Sequence, residues 1–195
     1  MATNLSNLDS FFGASHKTDK KEKSSAKDVT NINSIDQIMD LVIKHKISCD
    51  PLDIREVVRT VFEIDINETD LGKSVSGFLE RIGNRWAIYI NKNESEVRKR
   101  FTIAHELGHF IYHSDKYVGG GTSIPDQIFF RDYSTNPMEQ EANNFAAALL
   151  MPEDTFRKYI DEGYDTVSTL ADKFQLSTSA IKYRAYKLGL ISEYA

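Results

Sequence analysis

The chain has 195 residues, a single cysteine and a formal net charge of −5 at pH 7. Cys49 alone cannot form an internal disulfide, and the N-terminus lacks the uninterrupted apolar stretch of a signal peptide. No run approaches the roughly twenty apolar residues of a membrane span. The negative charge also argues against a chain-wide attraction to nucleic acid or anionic lipid. We therefore expect a cytoplasmic protein.

The first 33 residues are rich in serine, asparagine and lysine and contain few apolar anchors. Such a segment buries too little apolar surface to offset the entropy of ordering, so we predict a disordered polar tail over residues 1–33. The roughly 160 residues that follow are enough for one hydrophobic core and short for two.

Two helices are predicted at the start of this region. Ser34-Ile-Asp-Gln37 has the form of a capping box, and apolar residues from Ile35 to Ile43 recur at helical spacing after it. A second helix is expected after Pro51, where Ile54 to Phe62 carries several apolar residues.

A β-hairpin is predicted next. Gly77–Ile82 and Arg85–Ile90 flank the dipeptide Gly83-Asn84, which is a strong signal for a two-residue turn. Ile64 to Ile66 adds a short strand. These segments favour a small antiparallel sheet. An edge strand of such a sheet can hold an extended peptide by backbone pairing, although an ordinary structural hairpin explains the pattern equally well.

The run His105-Glu-Leu-Gly-His109 is the most informative motif of the chain. It lies in a segment, Ser95 to His113, whose apolar residues recur mostly three and four positions apart, which predicts a helix. Histidines four apart then project from one side and can bind the same metal ion. Glu106 faces the space beside them and can accept a proton from a water activated by the metal. A buried helix with hydrogen-bonded histidines is the plainer alternative.

Zinc, as Zn2+, is the favoured ion, and it needs at least one further protein ligand. His113 continues the stripe, but helical rise places it roughly 12 Å along the axis from His105, too far to share the ion. We interpret His113 as a residue that supports the site or the core. An acidic side chain from a second helix is the remaining common solution.

That second helix is predicted over Pro137 to Met151, with Asn136 as its cap. At about 100° per residue, Glu139 lies close to the apolar stripe of this helix, whereas Glu141 points well off it. Glu139 is therefore the better ligand, and Asn143, one turn further on, can orient a ligand imidazole. Solvated acids near a helix N-terminus are the alternative interpretation.

The chain resembles the ImmA/IrrE family of zinc metallo-endopeptidases in three segments taken together, Phe101–His109, Glu139–Ala146 and Leu149–Pro152. The resemblance implies that His105, His109 and Glu139 bind zinc and that Glu106 is the catalytic general base. It also implies a protein substrate, since such proteases typically cleave a helix-turn-helix repressor and thereby release genes of a mobile element or a stress response. In related thermolysin-like enzymes an Asp stands where this chain has Asn143.

A long loop is predicted between the two metal-binding helices, from Ser114 to Asn136. Its three consecutive glycines supply mobility, and its aromatic residues are candidates to line a substrate groove. Tyr133, Tyr112 and His113 can each donate a hydrogen bond to a developing oxyanion. No spacing rule selects among these three.

The C-terminal part predicts a helix-turn-helix-like pair over Thr166–Phe174 and Thr178–Lys187. Lys182, Arg184 and Lys187 of its second helix are candidate phosphate contacts. Acidic neighbours nearly cancel them, because 165–195 has four basic and three acidic residues and therefore a net charge of +1. This balance favours a helical pair that packs on the protease or binds its protein substrate, and direct DNA binding is not expected.

These predictions combine into an α+β protein whose small antiparallel sheet packs on a zincin-like active-site helix. Residues 34–162 form the predicted metallopeptidase domain, and 163–195 form a helical segment packed on it. The predicted function is a zinc-dependent endopeptidase that cleaves a helix-turn-helix repressor. The alternative is a repressor-binding or DNA-binding regulator with a structural or vestigial zinc site, against which the intact Glu106 argues.

Overall fold

The computed structural model describes residues 32, 34–114 and 136–193, which form helices and one small sheet. In chain order the elements are α1 (Ile35–Lys44), α2 (Ile54–Glu56, continued by a π-helical turn, Val57–Val61), β1 (Asp65–Thr69), β2 (Gly77–Ile82), β3 (Arg85–Asn91), α3 (Glu96–His113), α4 (Pro137–Leu150), α5 (Glu153–Asp161), α6 (Val167–Phe174) and α7 (Thr178–Lys187).

The first two helices begin at side-chain caps. The hydroxyl of Ser34 accepts a hydrogen bond from the backbone N–H of Gln37 at 3.3 Å. The carboxylate of Asp53 accepts one from the backbone N–H of Glu56 at 3.0 Å. Each cap satisfies a donor that the helix itself leaves without a partner, so the sequence defines where the helix begins.

The sheet has the strand order β1-β3-β2. β2 and β3 form the predicted hairpin, in which Ile82 pairs with Arg85 across a two-residue turn. Gly83 has a φ of +63°, a conformation that glycine adopts without the steric penalty of a Cβ.

The prediction of an antiparallel sheet is wrong for β1, which pairs with β3 in parallel, so the sheet is mixed. β1 lies on the far side of β3 from β2, and the loop between β1 and β2 must therefore pass the end of β3. Asn91 holds this loop, since its side-chain amide donates to the carbonyls of Gly72 at 2.6 Å and Val75 at 2.9 Å. These contacts join residues far apart in sequence, which no local pattern encodes.

Helices α3 and α4 approach each other closely at Gly108. A Cβ placed on Gly108 would lie 3.0 Å from the ring of Phe145 and 3.1 Å from the Cα of Ala142. Both neighbours are buried residues of α4. The missing side chain thus lets the two backbones come together, and this contact brings the histidines of α3 next to the first turns of α4.

The C-terminal helices pack on α3 and α4. The hydroxyl of Tyr183 donates to the side-chain oxygen of Asn144 at 2.6 Å, and Nε of Arg184 donates to the carbonyl of Met151 at 2.9 Å. Nη2 of Arg100 reaches the carbonyl of Phe174 at 3.5 Å. The described residues fall within one compact unit that spans residues 31–195.

Two predictions concern segments outside the described residues. These are the tail, of which residues 1–31 and 33 are not described, and the loop between α3 and α4, of which residues 115–135 are not described. Tyr133 belongs to that loop. Within the described part of the chain, no helix is long and apolar enough to cross a membrane.

Candidate metal centre

Helix α3 carries His105, Glu106 and His109, the three chemically distinctive residues of the motif. Their exposures are 0%, 0% and 1%. Polar side chains are rarely so buried unless they bind each other, a ligand or a metal. Burial of three polar side chains indicates a binding or catalytic site on the buried face of α3.

Glu139 of α4 completes a cluster with the two histidines. The Nε2 atoms of His105 and His109 are 3.0 Å apart. The carboxylate of Glu139 lies across from both, with Oε2 at 3.2 Å from Nε2 of His105 and Oε1 at 3.4 Å from Nε2 of His109. The structure therefore brings the three predicted ligands together, and they form a group that can hold a metal ion.

The spacing of these atoms fits a tetrahedral ion. Ligand atoms that sit about 2.0–2.1 Å from one tetrahedral zinc are roughly 3.3 Å from one another. The three separations in the cluster, 3.0, 3.2 and 3.4 Å, bracket that value. Two imidazoles and one carboxylate are also a donor set that zinc uses in catalytic sites.

Asn143 orients the first ligand. Nδ1 of His105 lies 2.9 Å from Oδ1 of Asn143. An amide oxygen only accepts hydrogen bonds, so the proton of His105 is on Nδ1 and its Nε2 presents a lone pair to the cluster. This contact is the one expected from the sequence, made here by an amide.

His113 and Glu141 lie behind the second ligand. Nδ1 of His109 is 3.1 Å from Nδ1 of His113, and Nε2 of His113 is 2.9 Å from Oε2 of Glu141. His113 is 2% exposed, so it does not project into solvent. It supports His109, as the rise along the helix indicated, and it does not reach the cluster itself.

Charge at the cluster depends on Glu139. Burial disfavours its ionised form, but when His105 and His109 carry protons on Nε2, their hydrogen bonds and positive charge outweigh this and hold the pKa of Glu139 far below its usual range. Glu139 is therefore a carboxylate at neutral pH, the form that binds a cation.

The carboxylate of Glu106 lies beside the first residue of strand β2. A Cβ on Gly77 would be 3.4 Å from Oε1 of Glu106, and it would also collide with Thr102 at 2.5 Å and with the carbonyl of Tyr89 at 2.8 Å. The missing side chain of Gly77 thus avoids Thr102 and the Tyr89 carbonyl and lets α3 approach the start of the strand, with Glu106 at ordinary contact distance. Sequence patterns marked Gly77 only as a strand end, since this close approach is a tertiary contact.

The three candidate oxyanion donors are His113, Tyr112 and Tyr133, and the structure describes the first two. His113 is engaged with His109 and Glu141, and Tyr112 packs edge-on against Phe145 with ring centroids 5.6 Å apart. Burial raises the pKa of the Tyr112 phenol, which keeps it protonated. Tyr133 lies outside the described residues.

Fold and site together define a class of protein: a small α+β domain in which a helix bearing H-E-x-x-H meets a glutamate of a second helix, as in metallopeptidases. The chain belongs to the peptidase M78 family, whose model, the IrrE N-terminal-like domain, matches residues 59–186. This confirms the ImmA/IrrE resemblance and indicates a metallopeptidase-like protein.

A solved structure described as a Mycobacterium tuberculosis transcriptional regulator is similar to this chain, with a TM-score of 0.54 and 17% sequence identity. The match covers 77% of this chain and 45% of the solved chain. This chain thus spans less than half of that protein, and at this identity the likeness shows the fold alone. No curated protein sequence matches this chain significantly.

Proposed function

We propose that this protein is a zinc-dependent endopeptidase. The observation that carries the proposal is the convergence of His105, His109 and Glu139 at 3.0–3.4 Å, with the buried Glu106 on the same helix as the two histidines. A metal site needs the first three residues. Glu106 has no role in a purely structural site, where water activation is not required.

Glu106 would act as general base and then as general acid. When bound, zinc supplies positive charge that polarises the scissile carbonyl and lowers the pKa of a bound water to about 7. Glu106 accepts a proton from the attacking water and delivers it to the nitrogen of the leaving amine. The neutral His105 and His109 stay fixed through both transfers, because Asn143 and His113 hold their outer nitrogens.

One edge of strand β2 is the proposed binding surface for the substrate. Among the described strands it pairs only with β3, so its other edge presents backbone groups to a peptide. This strand begins at Gly77, next to the Glu106 carboxylate. An extended peptide added at this edge would pass close to the base, and backbone pairing would hold it with little demand on its side chains.

The proposed substrate is a helix-turn-helix transcriptional repressor, and its cleavage would release genes of a mobile element or a stress response. Support comes from the ImmA/IrrE relationship. The similar solved structure is described as a transcriptional regulator, and this description applies to that protein. A cytoplasmic location fits such a substrate.

A regulator that binds a repressor or DNA, with a structural or vestigial metal site, is the second candidate. Its support is the pair α6 and α7, which Gln175, Leu176 and Ser177 join. Against it stands Glu106, since a carboxylate buried to 0% exposure carries a desolvation cost that a structural site gives no reason to keep.

The decisive experiment takes as candidate substrate any helix-turn-helix repressor that a gene neighbouring this one encodes. Purified wild type is incubated with it, alongside Glu106→Gln and Glu162→Gln, a matched change at an exposed position. We expect cleavage by wild type and Glu162→Gln, and a loss of at least about a hundredfold in Glu106→Gln with its zinc content retained. Normal cleavage by Glu106→Gln, or none by zinc-loaded wild type, would contradict the proposal.

A further inference from the structure

Two side chains continue outward from the candidate metal ligand His109. His113 lies one turn along α3, with its ring centroid 5.2 Å from that of His109 and the two rings tilted by 46°. The Nδ1 atoms of the two rings are 3.1 Å apart. Glu141 of α4 closes the series, with Oε2 at 2.9 Å from Nε2 of His113. The buried His113 thus connects a buried ligand to a carboxylate whose side chain is 62% exposed.

The direction of the protons along this series follows from the last member. An ionised carboxylate only accepts hydrogen bonds, so Nε2 of His113 donates to Glu141. A neutral His113 then has its lone pair on Nδ1, where it accepts from the Nδ1–H of His109. His109 is left with a lone pair on Nε2, the atom that faces His105 and Glu139.

We propose that Glu141 and His113 are positioning residues for the metal centre. They select the tautomer of His109 that can bind a metal and strengthen that nitrogen as a donor. The inference rests on the proposed metal site and concerns how its second histidine is prepared. Glu141 does not touch the cluster, so its effect passes through the ring of His113.

The two ligands are prepared in different ways. His105 donates directly to the neutral amide of Asn143, whereas His109 donates to an imidazole that a carboxylate polarises. Hydrogen bonds in such a chain polarise one another, so the charge of Glu141 reaches His109 across His113. Groups that orient metal-bound histidines in this way typically change metal affinity by about 10–100-fold.

The test measures zinc affinity in competition with a chelator, on the full chain, for Glu141→Gln, His113→Phe and their double variant. Asp154→Asn, which removes an exposed acid of α5, controls for charge alone. We expect zinc affinity to fall about 10–100-fold in His113→Phe and by a smaller factor in Glu141→Gln. Adding Glu141→Gln to His113→Phe should produce no further loss, because the connecting ring is gone.

Histidine 15N NMR supplies a readout that a merely structural role would not move. In wild type we expect His113 protonated on Nε2 and His109 on Nδ1, with this preference weakened in Glu141→Gln. Co2+ bound in place of zinc should also show a changed absorption spectrum in His113→Phe. Glu141→Gln alters an exposed side chain, so it keeps the test valid even if His113→Phe folds poorly.

Some outcomes would overturn the inference. The inference fails if Glu141→Gln matches Asp154→Asn in both affinity and tautomers, or if its loss persists undiminished in the His113→Phe background. Wild type that binds no zinc through His105 would overturn the metal site as well. Zinc binding that responds to Glu141 in a protein that cleaves no repressor would contradict only the proposed protease function.

Discussion

Glu139 and Glu141 lie two positions apart on α4 and contact different parts of the same centre. Glu139 reaches the inner nitrogens of both ligand histidines, and Glu141 reaches the outer nitrogen of His113. Helical angle alone separates them correctly, since Glu139 lies nearer the apolar stripe. Angle alone also suggests that Glu141 is merely solvated, and its contact with His113 shows otherwise.

Replacing Glu139 and Glu141 one at a time tests which of the two binds the metal. Glu139→Ala removes one of three converging ligands, so its loss of zinc affinity should exceed the about 10–100-fold expected when an orienting residue is lost. Glu141→Ala should retain more zinc than Glu139→Ala and less than wild type. Chelator competition and metal content of the purified variants measure both. Equal retention by the two variants would contradict the assignment of Glu139 as the ligand.

Residues of the site differ in how far the sequence predicts them. His105, Glu106 and His109 follow from one short motif on one helix, because spacing within a helix determines which side chains share a face. His113 supports His109 from the same helix, but the contact of His113 with Glu141 depends on how α3 is rotated against α4. Spacing within either helix does not specify that rotation, so the contact between His113 and Glu141 could not be predicted from the sequence.

At the scale of elements, the distance between α3 and α4 decides whether the three ligands converge. Gly108 sits between His105 and His109 in sequence and faces Ala142 and Phe145 of α4. Glu139 lies three residues before Ala142 on the same helix. Whatever separates the two backbones at Gly108 therefore also draws Glu139 away from the histidines.

Gly108→Ala tests this contact through the sign of its effect on stability. In an open helix interior the change from glycine to alanine stabilises by roughly 0.5–1 kcal/mol. Here the new methyl meets a buried ring at 3.0 Å and a backbone atom at 3.1 Å, and overpacking costs about 1–3 kcal/mol. We expect a lower free energy of unfolding in urea together with weaker zinc binding. A variant more stable than wild type, with unchanged zinc affinity, would show that the close approach is not required.

Local signals predict the hairpin and most helices, and they fail where the structure depends on distant contacts. Gly83-Asn84 marks the turn between β2 and β3 because a two-residue hairpin is local. The parallel pairing of β1 depends on Asn91 and a loop that precedes it by about 16–19 residues. No helix is predicted between Pro152 and Thr166, yet α5 forms there, with Glu153 and Asp154 in its first turn as the available signal.

For the whole molecule, the question is whether α6 and α7 serve the protease fold or bind DNA. Arg184 is half-buried and donates to the carbonyl of Met151 at the end of α4. Burial lowers the pKa of its guanidinium, and the charge of Glu153 only partly opposes this. Arg184 is thus committed to packing, which leaves Lys182 and Lys187 as the exposed basic residues of α7 among the three candidate phosphate contacts.

The last prediction therefore changes Lys182 and Lys187 together and treats Arg184 separately. Arg184→Ala should lower the free energy of unfolding by about 1–3 kcal/mol, because the carbonyl of Met151 loses its partner, while the double lysine variant should stay near wild type. We expect wild type to show no appreciable binding to duplex DNA at physiological salt, since the C-terminal segment carries a net charge of only +1 and the whole chain −5. A true DNA contact would instead give salt-sensitive binding whose slope falls by about 0.9 for each lysine removed. Such binding, lost in the double lysine variant, would favour the regulator over the protease as the role of this segment.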